Sequence, residues 1–76
     1  MEHKHPLNKT PWQRVHAKFG LSAAALASGI GRHRSKVSRA LRDSNGLING
    51  SDQKRLLEFA RTMNVEITPD DLTPAV

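Results

Sequence analysis

The chain has 76 residues, no cysteine and a formal net charge of +5. This length suits one small domain near the lower limit for a self-sufficient hydrophobic core. Neither a disulfide nor a thiolate metal site can stabilise such a chain, so helix packing, and a partner subunit if there is one, must do so. The sequence has no apolar run long enough to span a membrane and no signal-peptide core, which predicts a cytoplasmic protein.

The first predicted helix follows a polar segment. Residues 1–9 are polar and partly basic, and we expect them to form a flexible arm. Thr10 and Pro11 suit the N-cap and the first position of a helix, and Gly20 suits its end, so a helix is predicted from Pro11 to about Phe19. Its apolar set is Trp12, Val15, Ala17 and Phe19.

The next two predicted helices are separated by a glycine. Ser22 suits the N-cap of a helix over about 23–30. Gly31 suits the turn that follows, where a positive φ is needed. A third helix is predicted from about 33 or 34 to 43. Ala27 is expected to lie where the two helices cross, because a larger side chain there would push them apart.

The third predicted helix has two different faces. One face shows the spacing i, i+3, i+4, i+7 and carries only basic and hydroxylic residues. Its members are Ser35, Ser38, Arg39 and Arg42. The opposite face is apolar and carries Val37, Ala40 and Leu41. Many basic helix faces are merely solvated, and a helical hairpin with such a face is the simplest interpretation. A surface that contacts a polyanion is the more specific one.

The rest of the chain is predicted to hold a loop, a longer helix and a tail. Residues 44–50 are rich in turn residues and form the loop. A helix capped by Ser51 then runs to about Met63, where Asn64 suits the C-cap. Its expected buried side carries Leu56, Leu57, Phe59, Ala60 and Met63. After it we expect extended backbone and one more helical turn at 69–72.

The positive charge is concentrated in the first part of the chain. Residues 1–43 hold nine Lys and Arg against two acids, a net +7, whereas residues 44–76 hold three against five, a net −2. Such a patch favours polyanions through counterion release. An anionic membrane surface is a weaker candidate, because the basic helix lacks the large apolar face of an interfacial helix.

Two segments of the sequence resemble those of a known family, and this resemblance accounts for the features above. Residues 26–41 read LASGIGRHRSKVSRAL, which resembles the helix-turn-helix of phage repressor and Cro-type regulators, the lambda-repressor-like DNA-binding domains. Residues 65–74 read VEITPDDLTP, which is similar to the end of YdaS-type phage regulators. The resemblance covers about residues 10–74 and implies an all-α, lambda-repressor-like helix-turn-helix domain of four to five helices, with a C-terminal dimerisation helix and tail. Arg32 departs from the pattern, since the family usually has Val or another small apolar residue there.

The resemblance also implies which residues contact double-stranded DNA. Those expected to reach base edges in the major groove are His33, Arg34, Ser35, Ser38, Arg39 and Arg42. Arg34 and Arg39 can each make a bidentate contact with guanine. Those expected to contact the DNA backbone are Arg14, Lys18, Ser22, Ala23, Arg32 and Lys36. About half of the residues expected to contact bases are expected to touch only phosphate or water.

Other chemistry is not expected from the sequence. The histidines, which have no cysteine beside them to complete a metal site, are His3, His5, His16 and His33. Trp12 lies in an apolar helical stripe, which favours a core position over stacking on a base. Asp70 and Asp71 are adjacent and do not face one site. No catalytic triad or phosphate-binding glycine loop is visible, so we expect no enzymatic activity, no cofactor and no small-molecule ligand.

Together these features predict a sequence-specific transcriptional regulator, a phage or prophage Cro-like repressor that binds a palindromic operator as a homodimer and is nucleoid-associated when bound. The C-terminal part of the chain has more apolar residues than a monomer of this size needs to cover its core. These residues predict the dimer interface. Its expected members are Phe59, Met63, Val65, Ile67, Leu72 and Val76. The alternative is a protein-binding module, such as an antitoxin or inhibitor, built on the same fold.

Overall fold

The computed structural model describes residues 9–74. The arm expected at residues 1–9 therefore falls almost wholly outside the described residues, as does Val76. Residues 9–74 form five α-helices and no strand, which confirms the all-α prediction. The helices are α1 (Pro11–Phe19), α2 (Ala23–Ile30), α3 (Arg34–Arg42), α4 (Gly50–Met63) and α5 (Pro69–Leu72). Within this part of the chain, no helix has both the length and the apolar character needed to cross a membrane.

The ends of the helices follow local hydrogen bonds. Thr10 and Gln13 form a reciprocal capping box at the start of α1, and the Ser22 hydroxyl accepts the Ala25 N–H at the start of α2. Gly20 ends α1 in the left-handed region at φ 66°. The predicted limits of α1 and α2 are thus confirmed.

The start of α4 differs from the prediction. The side chain of Asn49, not that of Ser51, caps the helix by accepting the Asp52 N–H at 2.8 Å. Asparagine is as good an N-cap residue as serine, so the helix begins earlier, at Gly50. The predicted C-cap is confirmed, because Asn64 adopts the left-handed conformation at φ 58°.

The core is a single cluster drawn from all five helices and the loop before α4. Its members are Trp12, Val15, Phe19, Leu26, Ala27, Ile30, Val37, Ile48, Leu56, Ala60 and Leu72. The expected core position of Trp12 is confirmed, and its indole N–H donates to the carbonyl oxygen of Leu47 at 3.1 Å. Three residues expected to be buried are exposed instead, because they lie outside the helical stripes that face this cluster. They are Ala17, Leu57 and Met63.

The short helix α5 packs against α1 and completes the domain. Leu72 is buried in the core, so its expected place in a dimer interface is wrong. The Lys18 ammonium lies 3.2 Å from the Asp71 carboxylate. The Arg14 guanidinium donates to the backbone carbonyls of Lys9, Asp70 and Thr73. Both ends of the described chain are therefore held by α1.

Candidate nucleic-acid interface

The connection between α2 and α3 is a tight turn at a glycine. Gly31 adopts φ 72°, and the N–H of the next residue, Arg32, donates to the carbonyl oxygen of Ala27 at 2.8 Å. A Cβ added at Gly31 would also lie 2.9 Å from Nη1 of Arg55. The positive φ favours glycine here, whereas the end of the Arg55 side chain could move aside, so the predicted turn residue is confirmed by its conformation.

Helix α3 is attached to the domain by one face only. Val37 is completely buried, while Ala40 and Leu41 pack against the core at its edge. The helix sequence RSKVSRALR contains four basic residues and no acid. All six residues expected to contact bases are at least partly accessible: His33, Arg34, Ser35, Ser38, Arg39 and Arg42.

Two of these six residues also form the start of the helix. The ring nitrogen Nδ1 of His33, the N-cap residue, accepts the N–H of Ser35 at 3.1 Å. The Ser35 hydroxyl lies 2.8 Å from the same nitrogen. Because Nδ1 accepts these hydrogen bonds, the ring proton of neutral His33 is on Nε2, which leaves an N–H donor on the exposed edge. His33 therefore both caps α3 and presents a donor.

The loop after α3 is fixed by side chains from other helices. The side-chain amide of Gln53 donates to the carbonyl oxygen of Ile48 at 3.0 Å, next to the hydrogen bond from Trp12 to Leu47. The loop and α3 enclose an open groove of about 800 Å³ whose lining includes Lys36 and Arg39. Leu47 is 58% exposed on this loop. The groove thus has two cationic side chains on α3, two acids, Asp43 and Asp52, and a hydrogen-bonded loop in its lining.

The predicted backbone contacts at α2 occupy a helix N-terminus. The Ser22 side chain is used as the cap, and Ala23 is the first residue of the helix. First-turn N–H groups of a helix lack helical partners and suit an anion.

The other four predicted backbone contacts have partners within the chain. Arg14 and Lys18 hold α5 and the adjacent chain ends, as described above. Arg32 and Lys36 both pair with the carboxylate of Asp52, which belongs to α4. These contacts give the four cations structural roles that the sequence analysis did not anticipate.

Helix α4 clamps the turn between α2 and α3. Asp52 is 1% exposed, and its Oδ1 accepts Nε–H of Arg32 at 2.8 Å. Nη2 of Arg32 donates to the Ser51 hydroxyl at 3.2 Å. Arg55 donates to the carbonyl oxygen of Ile30, the last residue of α2, at 3.0 Å. We call Ser51, Asp52 and Arg55 the turn clamp.

The sequence analysis missed the turn clamp, although one signal was available. Asp52, Leu56 and Ala60 are spaced by four residues and share one face of α4, and all three are buried. An acid on the buried stripe of a helix needs a cation nearby. Arg32 is such a cation.

Neither a metal-binding group in the described part of the chain nor a similar protein was found. Among residues 9–74, no group of His, Asp and Glu is arranged to hold a metal ion. No protein family, curated protein or solved structure matches the chain. Functional inference therefore depends on the chain's own residues and their geometry.

Proposed function

We propose that the protein is a sequence-specific DNA-binding regulator, in which α2 and α3 act as a lambda-repressor-like helix-turn-helix and α3 enters the major groove. The observation that carries the proposal is the character of α3. It bears four basic residues and no acid, and its buried face is attached to the core through Val37. A rigidly attached helix with an accessible cationic face suits a groove that is wide enough for one helix.

The chemistry of the accessible face supports contacts with both bases and phosphates. Arg34 and Arg39 are exposed and have the fork geometry that pairs with guanine O6 and N7. Ser38 is short enough to let the helix approach the base edges closely. Arg42 ends the helix, where its long side chain can reach a phosphate or the last base pair.

A second copy of the chain is the partner that this function needs. One short helix contacts few base pairs, and a two-fold dimer doubles them over half-sites about one helical turn apart. The apolar side chains still accessible at the end of α4 and beyond it support this part of the proposal. Leu57 and Met63 are 37% and 42% exposed, and Val65 and Ile67 are partly buried.

The expected interface changes in composition as a result. Leu72 is a core residue, and Phe59 stacks on Phe19 with ring centroids 5.2 Å apart, so neither is mainly available to a partner. A shallow cavity of about 230 Å³ lies beside α4, and its lining is Leu57, Ala60, Arg61, Val65, Glu66 and Ile67. We propose this surface, together with Met63, as the dimer interface of a phage or prophage Cro-like repressor acting in the cytoplasm.

Selection of bound DNA from a random duplex pool tests the proposal. We expect enrichment of a palindrome with half-sites about one helical turn apart. We also expect binding that weakens steeply with salt, because phosphate contacts release counterions. Absence of any enriched sequence at low salt would contradict the proposal and favour a protein target for the same basic surface.

A further inference from the structure

A single buried carboxylate is shared by two cations of the candidate interface. Oδ1 of Asp52 lies 2.8 Å from Nε of Arg32, and Oδ2 lies 3.3 Å from Nζ of Lys36. Arg32 belongs to the turn and Lys36 to α3, so the carboxylate joins both the turn and α3 to α4.

The carboxylate is itself held in a fixed position. Asp52 is in the first turn of α4, and its N–H donates to the Asn49 side chain at 2.8 Å. A negative charge in the first turn of a helix is favoured by the helix dipole. Burial of an ionised carboxylate is costly unless cations and hydrogen bonds compensate it. The two cations therefore remain beside Asp52 in the free protein.

Both cations nevertheless keep donors for another anion. The Lys36 side chain is 42% exposed and that of Arg32 is 28% exposed. An ammonium group has three N–H donors and a guanidinium has five, more than Asp52 and Ser51 use. Long cationic side chains lose rotamer freedom when they bind, and a side chain that is already oriented loses less.

We propose that Asp52 is a positioning residue for DNA binding, which orients Arg32 and Lys36 toward backbone phosphates without touching DNA itself. The inference rests on the proposed function. The proposal predicts the opposite change in DNA affinity from the one that charge alone predicts. A carboxylate near DNA repels phosphates, so its removal would strengthen binding if charge alone mattered. Its removal weakens binding if its main effect is to orient the two cations.

The test compares two variants that remove one acid each. Asp52→Asn preserves the shape of the side chain but removes its charge. Asp43→Asn is the matched control. Asp43 is exposed at the C-cap of α3, and its carboxylate accepts a hydrogen bond from the Asn45 N–H instead of forming an ion pair. Affinity for the selected operator is measured across a salt series, at a temperature where melting curves show both variants folded.

A positioning role and a purely electrostatic role of Asp52 predict different affinities for the two variants. We expect Asp52→Asn to weaken operator binding about tenfold, the scale of one charged hydrogen bond. We also expect its salt slope to fall by about one unit, because a phosphate contact is lost. Asp43→Asn is expected to bind as tightly as the wild type or slightly more tightly. If Asp52→Asn behaves like Asp43→Asn, the inference is wrong while the proposed function stands. If the wild type binds no DNA, the proposed function fails first and the inference with it.

Two further measurements separate positioning from a loss of stability. In a Lys36→Met background, the loss of affinity caused by Asp52→Asn should be smaller, because one of the oriented cations is absent. An unchanged loss of affinity would show that Asp52 acts through general stability.

The second measurement uses the wild-type chain and so does not depend on a variant that folds. The Arg32 Nε–H signal in NMR should stay protected from solvent exchange when operator is added. Loss of that protection would mean that Arg32 leaves Asp52 when operator binds, which overturns the inference.

Discussion

Gly29 lies directly against the aromatic ring of Phe59. A Cβ added at Gly29 would overlap the ring atoms Cζ, Cε2 and Cε1. The ring also stacks on Phe19, with the two planes 20° apart. Gly29 is inside α2, where glycine costs helix stability relative to alanine. Its role here is to let α2 approach the Phe59 ring on α4.

Gly29→Ala should therefore destabilise the domain. Alanine has the better helix propensity, but the added methyl group overpacks the Phe59 ring, at a cost of about 1–3 kcal/mol. Gly50→Ala is the matched control, since a Cβ at Gly50 meets nothing within 4 Å. Thermal unfolding followed by circular dichroism should show a lower Tm for Gly29→Ala only. Equal melting temperatures for the two variants would mean that the ring moves aside freely.

Ala27→Leu should also lower stability. Ala27 is completely buried in α2, and the larger side chain would force α2 away from its neighbours at a cost of about 1–3 kcal/mol. Ala24 is exposed on the same helix, so Ala24→Leu makes the same change without overpacking. Urea unfolding of the two variants checks the prediction. A wild-type midpoint for Ala27→Leu would show that the helix crossing tolerates the extra volume.

Arg39→Ala should strongly reduce selective DNA binding and leave the helical spectrum intact. Arg39 is exposed on α3, and a lost bidentate guanine contact removes about 1–3 kcal/mol of discrimination. Lys54→Ala, on the exposed surface of α4 and outside the proposed dimer interface, serves as the charge control. Competition between operator and unrelated duplexes gives the specificity ratio. An unchanged ratio for Arg39→Ala would remove this residue from the base contacts.

Lys36 should behave differently from Arg39. Lys36→Met is expected to weaken binding to all sequences alike and to reduce the salt slope by about one unit, because a phosphate contact carries no sequence information. Titrations of operator and random duplex over a salt series measure both quantities. A sequence-dependent loss would instead place Lys36 at a base edge.

Asp71 should make the domain sensitive to acid. Burial by itself raises the pKa of its carboxyl, but hydrogen bonds from Thr68 and the Lys18 ammonium outweigh burial and lower the pKa. A lowered folded-state pKa adds stability above the unfolded value of about 3.9, and this stability is lost as pH falls through the lower folded value. Asp71→Asn should therefore flatten the decline in Tm below about pH 4, whereas Asp70→Asn should not. A parallel decline in Asp71→Asn and wild type would contradict this linkage.

Leu57→Glu should dissociate the proposed dimer. Leu57 is 37% exposed beside the shallow cavity of α4, and a carboxylate placed there would have to be desolvated in a dimer interface. Ala17→Glu is the control, because Ala17 is exposed on α1, away from both the cavity and the α3 groove. Sedimentation with and without operator measures the assembly. Point variants suit this test better than removal of the tail, since Leu72 belongs to the core. A Leu57→Glu protein that still dimerises would place the interface elsewhere.

The sequence by itself determined the first three helices and the turn between the second and third. The signals were Thr10, Gly20, Ser22 and Gly31, whose conformations and hydrogen bonds involve residues only three or four positions away. Such interactions form within a single turn of chain, so a local pattern is enough to predict them. The basic face of α3 was predictable for the same reason, because helical spacing alone assigns its residues to one side.

The tertiary structure alone decided how these parts are held together. Arg32 and Asp52 are 20 positions apart, and the contact of Arg14 with the Asp70 carbonyl spans 56. The close approach of Phe59 to Gly29 and the burial of Leu72 likewise depend on how separate helices pack. No local sequence pattern encodes such a contact. A cation or a glycine occupies the same position in the helical repeat whether or not a distant residue packs against it. The partner is fixed only when the helices pack around the common core and an unpaired buried charge or an overlapping ring becomes too costly.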